Sequence, residues 1–227
     1  MNFINIIIIN MRTKFRNADE AYNYFLDKII QDGVEFGDTK ALFNIGFTLE
    51  KPEENHILNE ERDWKWSYAE AEWKWYLSGD PHINKLKEIY GKIPPIWCHM
   101  ADSKGLVRSN YGWQWKRNDQ IDYVVAKLRH QLITKKPTRH AAISIYDAKE
   151  WQSYRKDTPC TYAVQFYILH NILNICVVMR SNDLWYGFCN DQYQFSMLQK
   201  MIAERLYIDT GTYYHFAHNL HLYNNKL

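Results

Sequence analysis

The chain is poor in residues that break or staple a fold. Nine glycines and six prolines are scattered over 227 residues. There is no Gly/Ser linker, Pro-rich tract or internal repeat, so a single domain over 1–227 is the expected organisation. Cysteine is scarce as well: Cys98, Cys160, Cys176 and Cys189 form neither a CxxC pair nor a zinc-ligand spacing. That argues against a disulfide framework and a zinc module, and for a reduced, cytoplasmic protein. The nine histidines include no HExxH, so no metal is expected. The absence of GxGxxG and of a P-loop leaves dinucleotide-binding and NTPase readings without support. No sign of charge dominates: 28 basic against 26 acidic residues give a net charge of +2, which indicates no direct nucleic-acid partner. Long apolar runs are missing too. Residues 6–9 form a short isoleucine extension flanked by Asn, with no basic leader and no cleavage site. Neither a signal peptide nor a membrane helix of about 20 residues is expected from it.

What the chain has is aromatic surface. Hydrophobic residues make up 46%, charged residues 24% and aromatics 16%, with 9 Trp and 17 Tyr. This composition folds, and it suits a core wrapped around a polar pocket. Apolar spacing predicts helices over 18–31, 63–77, 123–132 and 192–206, the second ended by Ser78-Gly79-Asp80. Strands are predicted over 41–49, 141–146, 161–169 and 172–179, the last two joined by a His170-Asn171 turn. Helices and strands mix without βαβ alternation, so the fold class is α+β. Val164, Phe166, Ile175 and Val177 suit a sheet buried on both faces.

Four places could carry chemistry. Cys160 follows Asp157-Thr158-Pro159 at a loop-to-strand junction. As a nucleophile it needs a cation to lower its pKa, and by residue type alone a small buried hydrophobe is the commoner role. Arg180-Ser181 at the end of a strand offers a guanidinium fork and a hydroxyl suited to phosphate, or else forms a surface turn. Glu72 lies among Trp64, Trp66, Tyr68, Trp73, Trp75 and Tyr76. Aromatic surroundings raise a carboxyl pKa toward proton-transfer work, while a solvated helix face is the plainer reading, with Glu70 the competing carboxylate. His221 and Tyr223 fall on one face of an extended segment, either to bind a sugar hydroxyl or to pack as rings.

Together, Cys160, Gln165-Phe166, Arg180-Ser181-x-Asp183-x-x-x-Gly187 and His221-Leu222-Tyr223 resemble the thymidylate synthase superfamily. Arg180 follows Cys160 by 20 residues, the spacing of that family. Glu72 with Trp75 and Ser78-Gly79-Asp80 resembles its glutamate helix, and Pro95-Ile96-Trp97 and Tyr111-Gly112-x-Gln114-Trp115 resemble its folate-side segments. The likeness covers about 40–223. Thr161, the stretch from Ser103 to Trp113, Met179 to Asp183, and Gly187-Phe188-x-Asn190-Asp191 make it similar to the deoxycytidylate hydroxymethylase branch rather than to the synthases proper.

The resemblance implies a bent mixed sheet with helices on one face and a homodimer through the other. It implies 5,10-methylenetetrahydrofolate as co-substrate, with no metal. Cys160 would add to C6 of the pyrimidine, with Glu72 and Tyr111 assisting proton loss from C5. Arg180, Ser181 and Lys40 would take the phosphate together with Arg139 from a second subunit. His221 and Tyr223 would take the 3′-hydroxyl, with Gln165 also on the substrate side. Asp183, Trp97 and Gly187 would face the folate. Asp191 stands where synthases carry a uracil-reading Asn. A carboxyl that shares a proton matches cytosine, which offers an N4 donor and an N3 acceptor, so dCMP is the expected substrate and 5-hydroxymethyl-dCMP the product. Met100 replaces a synthase Trp and would admit water. The chain reaches Leu227 four residues after Tyr223, short of the C-terminal segment that closes over folate in synthases. The rival expectations are a synthase or dUMP hydroxymethylase, and a nucleotide-binding homologue without catalysis.

Overall fold

The computed structural model describes residues 11–150 and 157–227; the apolar run at 6–9 lies outside the described residues. Helix α1 (Ala18–Asp32) starts where the Asn17 side chain accepts the Glu20 N–H, with Asp19 and Glu20 in its first turn. These groups satisfy free N–H donors and oppose the positive helix end. Helix α2 (Trp66–Ser78) stops at Gly79, whose φ of +70° continues no helix. Three short helices follow, α3 (Ile83–Tyr90), α4 (Pro95–Met100) and α5 (Tyr111–Lys116), and then α6 (Gln120–Thr134). Helix α7 (Cys189–Leu206) buries Phe195, Leu198, Ile202 and Leu206 at helical spacing.

The strands are β1 (Lys14–Phe15), β2 (Val34–Phe36), β3 (Thr39–Leu49), β4 (Ala142–Ser144), β5 (Thr161–Leu169), β6 (Ile172–Met179), β7 (Asn182–Asp183) and β8 (Asp209–Tyr223). They form one mixed sheet in the order β1-β3-β8-β6-β5-β4, with β2 on β3 and β7 on β8. Strand β8 runs antiparallel to β3 and parallel to β6. The β5–β6 turn is two residues long, with φ of 51° at His170 and 61° at Asn171, the doubly positive geometry that matches the strand twist.

Helices α1 and α7 cover one face of this sheet. Phe47, Val164, Phe166, Ile175, Val177, Tyr213 and Ala217 point into that layer and are fully buried. The expectation of burial on both faces rested on residues of one face only. Val164, Phe166, Ile175 and Val177 all belong to the inner face and say nothing about the outer one. The outer face carries Tyr167, Cys176, Tyr214 and Phe216, with Cys176 directly opposite Tyr214.

The hairpin explains the interval between Cys160 and Arg180. Cys160 immediately precedes β5 and Arg180 immediately follows β6, so antiparallel pairing returns the chain to its starting point, and the Arg180 N–H donates to the Cys160 carbonyl at 2.8 Å. The β7–β8 pairing sets Asp183 opposite His221.

Candidate active site

One cavity of about 700 Å³ opens between α2, α4, the head of α7 and the loop before β5. Cys160, Glu72, Asp191, Tyr111, Asp183, Trp97, Gly187 and Tyr223 all line it. Residues from six of these elements, the helical turn at 184–188 and one loop thus converge on a volume suited to small ligands.

Arg180 holds the loop that enters β5. Its guanidinium donates to Pro159 O at 3.0 Å and Thr158 O at 2.9 Å, and lies 3.7 Å from Cys160 Sγ. The cation that a reactive thiol requires is therefore present. It is outweighed: burial pushes the Cys160 thiol up to about 11, against the pull of Arg180.

Glu72 is buried beneath a chain of donors. The Trp97 indole N–H donates to the Tyr68 oxygen at 2.6 Å, and the Tyr68 hydroxyl donates to Glu72 Oε1 at 2.8 Å. Gln194 Nε2 donates to Glu72 Oε2 at 3.1 Å. Loss of hydration outweighs these bonds and lifts the Glu72 carboxyl to about 7, a value suited to proton transfer near neutrality. Asp191 rises well above the carboxylate range, first through burial and then through the charge of Glu72. Its Oδ2 accepts from Asn182 Nδ2 at 2.7 Å. Gly187 leaves space for that pair, since a Cβ there would meet Asn182 Nδ2 at 3.1 Å and Asp191 Oδ2 at 3.3 Å. Asn182 Oδ1 is buried without a hydrogen-bond partner among the described residues. Asp183 accepts the N–H groups of Trp185 and Tyr186, both at 3.0 Å, and burial brings it to about 6.

The other expected residues spread out. His221 lies beside Tyr223, ring centroids 5.4 Å apart, and its Nδ1 pairs with Asn219 Oδ1. Ser181 sits half-buried between Arg180 and Asn182. Arg139 stands exposed in the loop before β4. Two expectations are corrected. Lys40 faces away from the cavity, its ammonium donating to the Ile30 carbonyl at the end of α1. Gln165 lies on the outer sheet face, tied to the Ala141 and Phe166 carbonyls. Alternation along β5 turns Gln165 away from its neighbours Val164 and Phe166.

Sequence reasoning missed Tyr68, Asn182 and Gln194 as partners of the ionisable groups. Tyr68 was legible, because it lies four residues before Glu72 on one helix. Asn182 and Gln194 reach their carboxylates across tertiary contacts that no local spacing records.

The thymidylate synthase family model matches residues 20–227. The chain belongs to the thymidylate synthase family. Deoxycytidylate 5-hydroxymethyltransferase of Enterobacteria phage T4 is 33% identical over 175 residues, 73% of this chain and 65% of that protein. The matched stretch is thus just under two thirds of the phage relative's length. Thymidylate synthase 1 of Bacillus subtilis is 25% identical over 233 residues, 92% of this chain and 80% of its own. The structure of thermostable thymidylate synthase A from Bacillus subtilis superposes with a TM-score of 0.74 at 23% identity, covering 91% of this chain and 80% of that one. This places the mixed sheet and its helices in the family's fold. Among the described residues no helix is long and apolar enough to cross a membrane, and no group of His, Cys, Asp and Glu could hold a metal ion.

Proposed function

We propose that this family member transfers the one-carbon unit of 5,10-methylenetetrahydrofolate to C5 of dCMP and adds water, giving 5-hydroxymethyl-dCMP. The observation that carries the reading is Asp191, a carboxyl in the same cavity as Cys160 with its pKa raised by burial. A neutral carboxyl donates to cytosine N3 and accepts from N4, whereas a carboxylate accepts only. Asn182 supports the same base. Its N–H is spent on Asp191, and its buried, unpartnered Oδ1 is an acceptor available to the second N4 hydrogen. An unpaired acceptor is costly until a donor arrives, and uracil offers O4 there instead. The 33% identity to a phage deoxycytidylate 5-hydroxymethyltransferase points the same way.

The walls fit both ligands. Trp64, Tyr90, Ile96, Trp97 and Met100 offer apolar and aromatic surface to a flat folate ring. The co-substrate supplies the carbon; the chain's own residues do the rest. Cys160 adds to C6, and Arg180 beside it stabilises the thiolate as it forms. Glu72, through the Tyr68 and Gln194 contacts, accepts and returns protons around the base. Arg180 and Ser181 meet the phosphate, joined by Arg139 of a second copy, and His221 and Tyr223 meet the sugar. The protein acts as a homodimer through the outer sheet face.

Mass spectrometry of products from dCMP or dUMP with methylenetetrahydrofolate tests this. A dCMP product heavier by one CH2O unit, absent in Cys160→Ala, is expected. Asp191→Asn is expected to lose dCMP turnover and gain dUMP turnover. A methylated dUMP product from the unmodified protein would refute the reading of Asp191.

A further inference from the structure

The cavity holds a carboxyl with no part in the chemistry above. Asp157 lies three residues before Cys160 in the loop that enters β5. Its Oδ2 accepts the Ser109 N–H at 3.0 Å, and the Ser109 hydroxyl adds a second bond. Both residues line the cavity with Tyr111 and Met100. No ion pair holds Asp157 among the described residues. Arg180, the neighbouring cation, is bonded to the Pro159 and Thr158 carbonyls. A merely structural tether to Ser109 N–H needs only an oxygen, which Asn supplies without the cost of burying a charge. A buried carboxyl held by Ser109 at the cavity wall therefore suits a task that uses its proton affinity.

We propose that Asp157 is the base that takes the proton from the water added to the one-carbon unit. The inference rests on the hydroxymethylation reading above. After carbon transfer the pyrimidine carries a CH2 double-bonded to C5, with Cys160 still on C6. The water oxygen forms a bond to that CH2. The displaced pair passes through C5 into a new C5–C6 double bond as the C6–Sγ bond breaks, and the thiolate leaves. One water proton goes to Asp157 and the other stays on the new hydroxyl. No oxidant or reductant is required. Three features fit the role. Ser109 fixes Oδ2 in place at the cavity wall. Burial raises the Asp157 carboxyl above its usual range and makes it a stronger base than an exposed one. Its charge raises the pKa of both Cys160 and Tyr111, which places it close to the reacting end of the cavity.

The test separates carbon transfer from hydration. The protein is given dCMP tritiated at C5, methylenetetrahydrofolate and 2-mercaptoethanol. Tritium release reports transfer of the carbon. Hydroxymethyl product and thioether product are then counted by mass spectrometry. For Asp157→Asn the ratio of hydroxymethyl product to tritium release is expected to fall about ten-fold or more. Tritium release should stay within about three-fold of wild type, and the thioether, whose thiolate needs no base, should accumulate. If hydroxymethyl product and tritium release fall together, the inference is overturned while the wild-type product still upholds the parent reading. If wild type makes no hydroxymethyl product, both fall. Should Asp157→Asn be recovered unfolded, as judged by circular dichroism, Ser109→Ala is read the same way. Loosening the carboxyl is expected to lower the ratio about three-fold, and an unchanged ratio overturns the inference.

Discussion

Glu72 shows what a buried acid costs the fold. Its carboxyl ionises near 7 in the folded chain instead of near 4.5. A raised carboxyl pKa means the folded state binds the proton more tightly than the unfolded one. Stability is therefore full below about 4.5, declines as pH rises toward 7 and is level above it. The loss is about 3 kcal/mol, from roughly 1.4 kcal/mol per pKa unit. Asp183, raised to about 6, contributes in the same direction over a lower window. Glu72→Gln removes the ionisation. Gln194 Nε2, which also donates to the Ala69 carbonyl, can keep donating to the amide oxygen of the new side chain. Thermal unfolding at pH 8 should show the variant more stable by about 2–3 kcal/mol, a rise of about 8 °C. The gap should shrink below about 1 kcal/mol at pH 5, while release of the C5 hydrogen is abolished. A variant less stable than wild type at pH 8 would show that the hydrogen bonds to Glu72 outweigh its desolvation.

At the scale of elements, the cavity depends on how closely α2 and α5 approach. Gly112 makes that approach possible: a Cβ there would lie 2.0 Å from the Tyr76 carbonyl oxygen and 2.3 Å from its Cα. Both obstacles are backbone, so no rotamer relieves them. Gly112→Ala must push the helices apart at a cost of about 3 kcal/mol or more. Tyr76 also touches Glu72, so the shift reaches the acid. Calorimetry should show a lower melting temperature, and C5 hydrogen exchange should fall further than stability alone explains at a temperature where the variant is folded. The same scale marks what the sequence could disclose. The β5–β6 hairpin was legible to the residue, because alternation and an Asn turn are local signals. Helix α2 was legible from its Gly stop. Strand β8 was foreseen only at 221–223. From Thr212 to Asn219 it carries polar or aromatic residues toward both faces, so period-two contrast is lost, and its pairing is fixed by β3 and β6 far away in sequence. The site divides in the same way. Cys160 and Arg180 are joined by one hairpin and could be read as a unit. Lys40 was misplaced because its neighbour Ala41 is the residue paired with His221, which turns Lys40 to the opposite side.

The whole molecule leaves one large surface to account for. On the outer sheet face Tyr167, Leu169, Ile172 and Tyr214 are 39%, 57%, 38% and 37% exposed, and Phe43 is 44% exposed nearby. Exposed aromatic and aliphatic side chains on one sheet face suit an interaction site. A second copy meeting it about a two-fold axis would cover both faces at once. The same axis would let the exposed Arg139 of one copy join Arg180 and Ser181 in the phosphate site proposed for the other. Symmetry makes this testable without a structure of the pair. Cys160→Ala and Arg139→Ala homodimers should each be nearly inactive. In a heterodimer of the two, one site collects both substitutions and the other contains neither. Random reassortment of an equal mixture puts half the dimers in that state, each with one intact site of two. Hydroxymethylation in the mixture should therefore recover to about one quarter of wild type. Sedimentation of differently tagged chains would verify that heterodimers form. Full exchange without recovery would place Arg139 in the site of its own chain, and an active Arg139→Ala homodimer would place it outside the site.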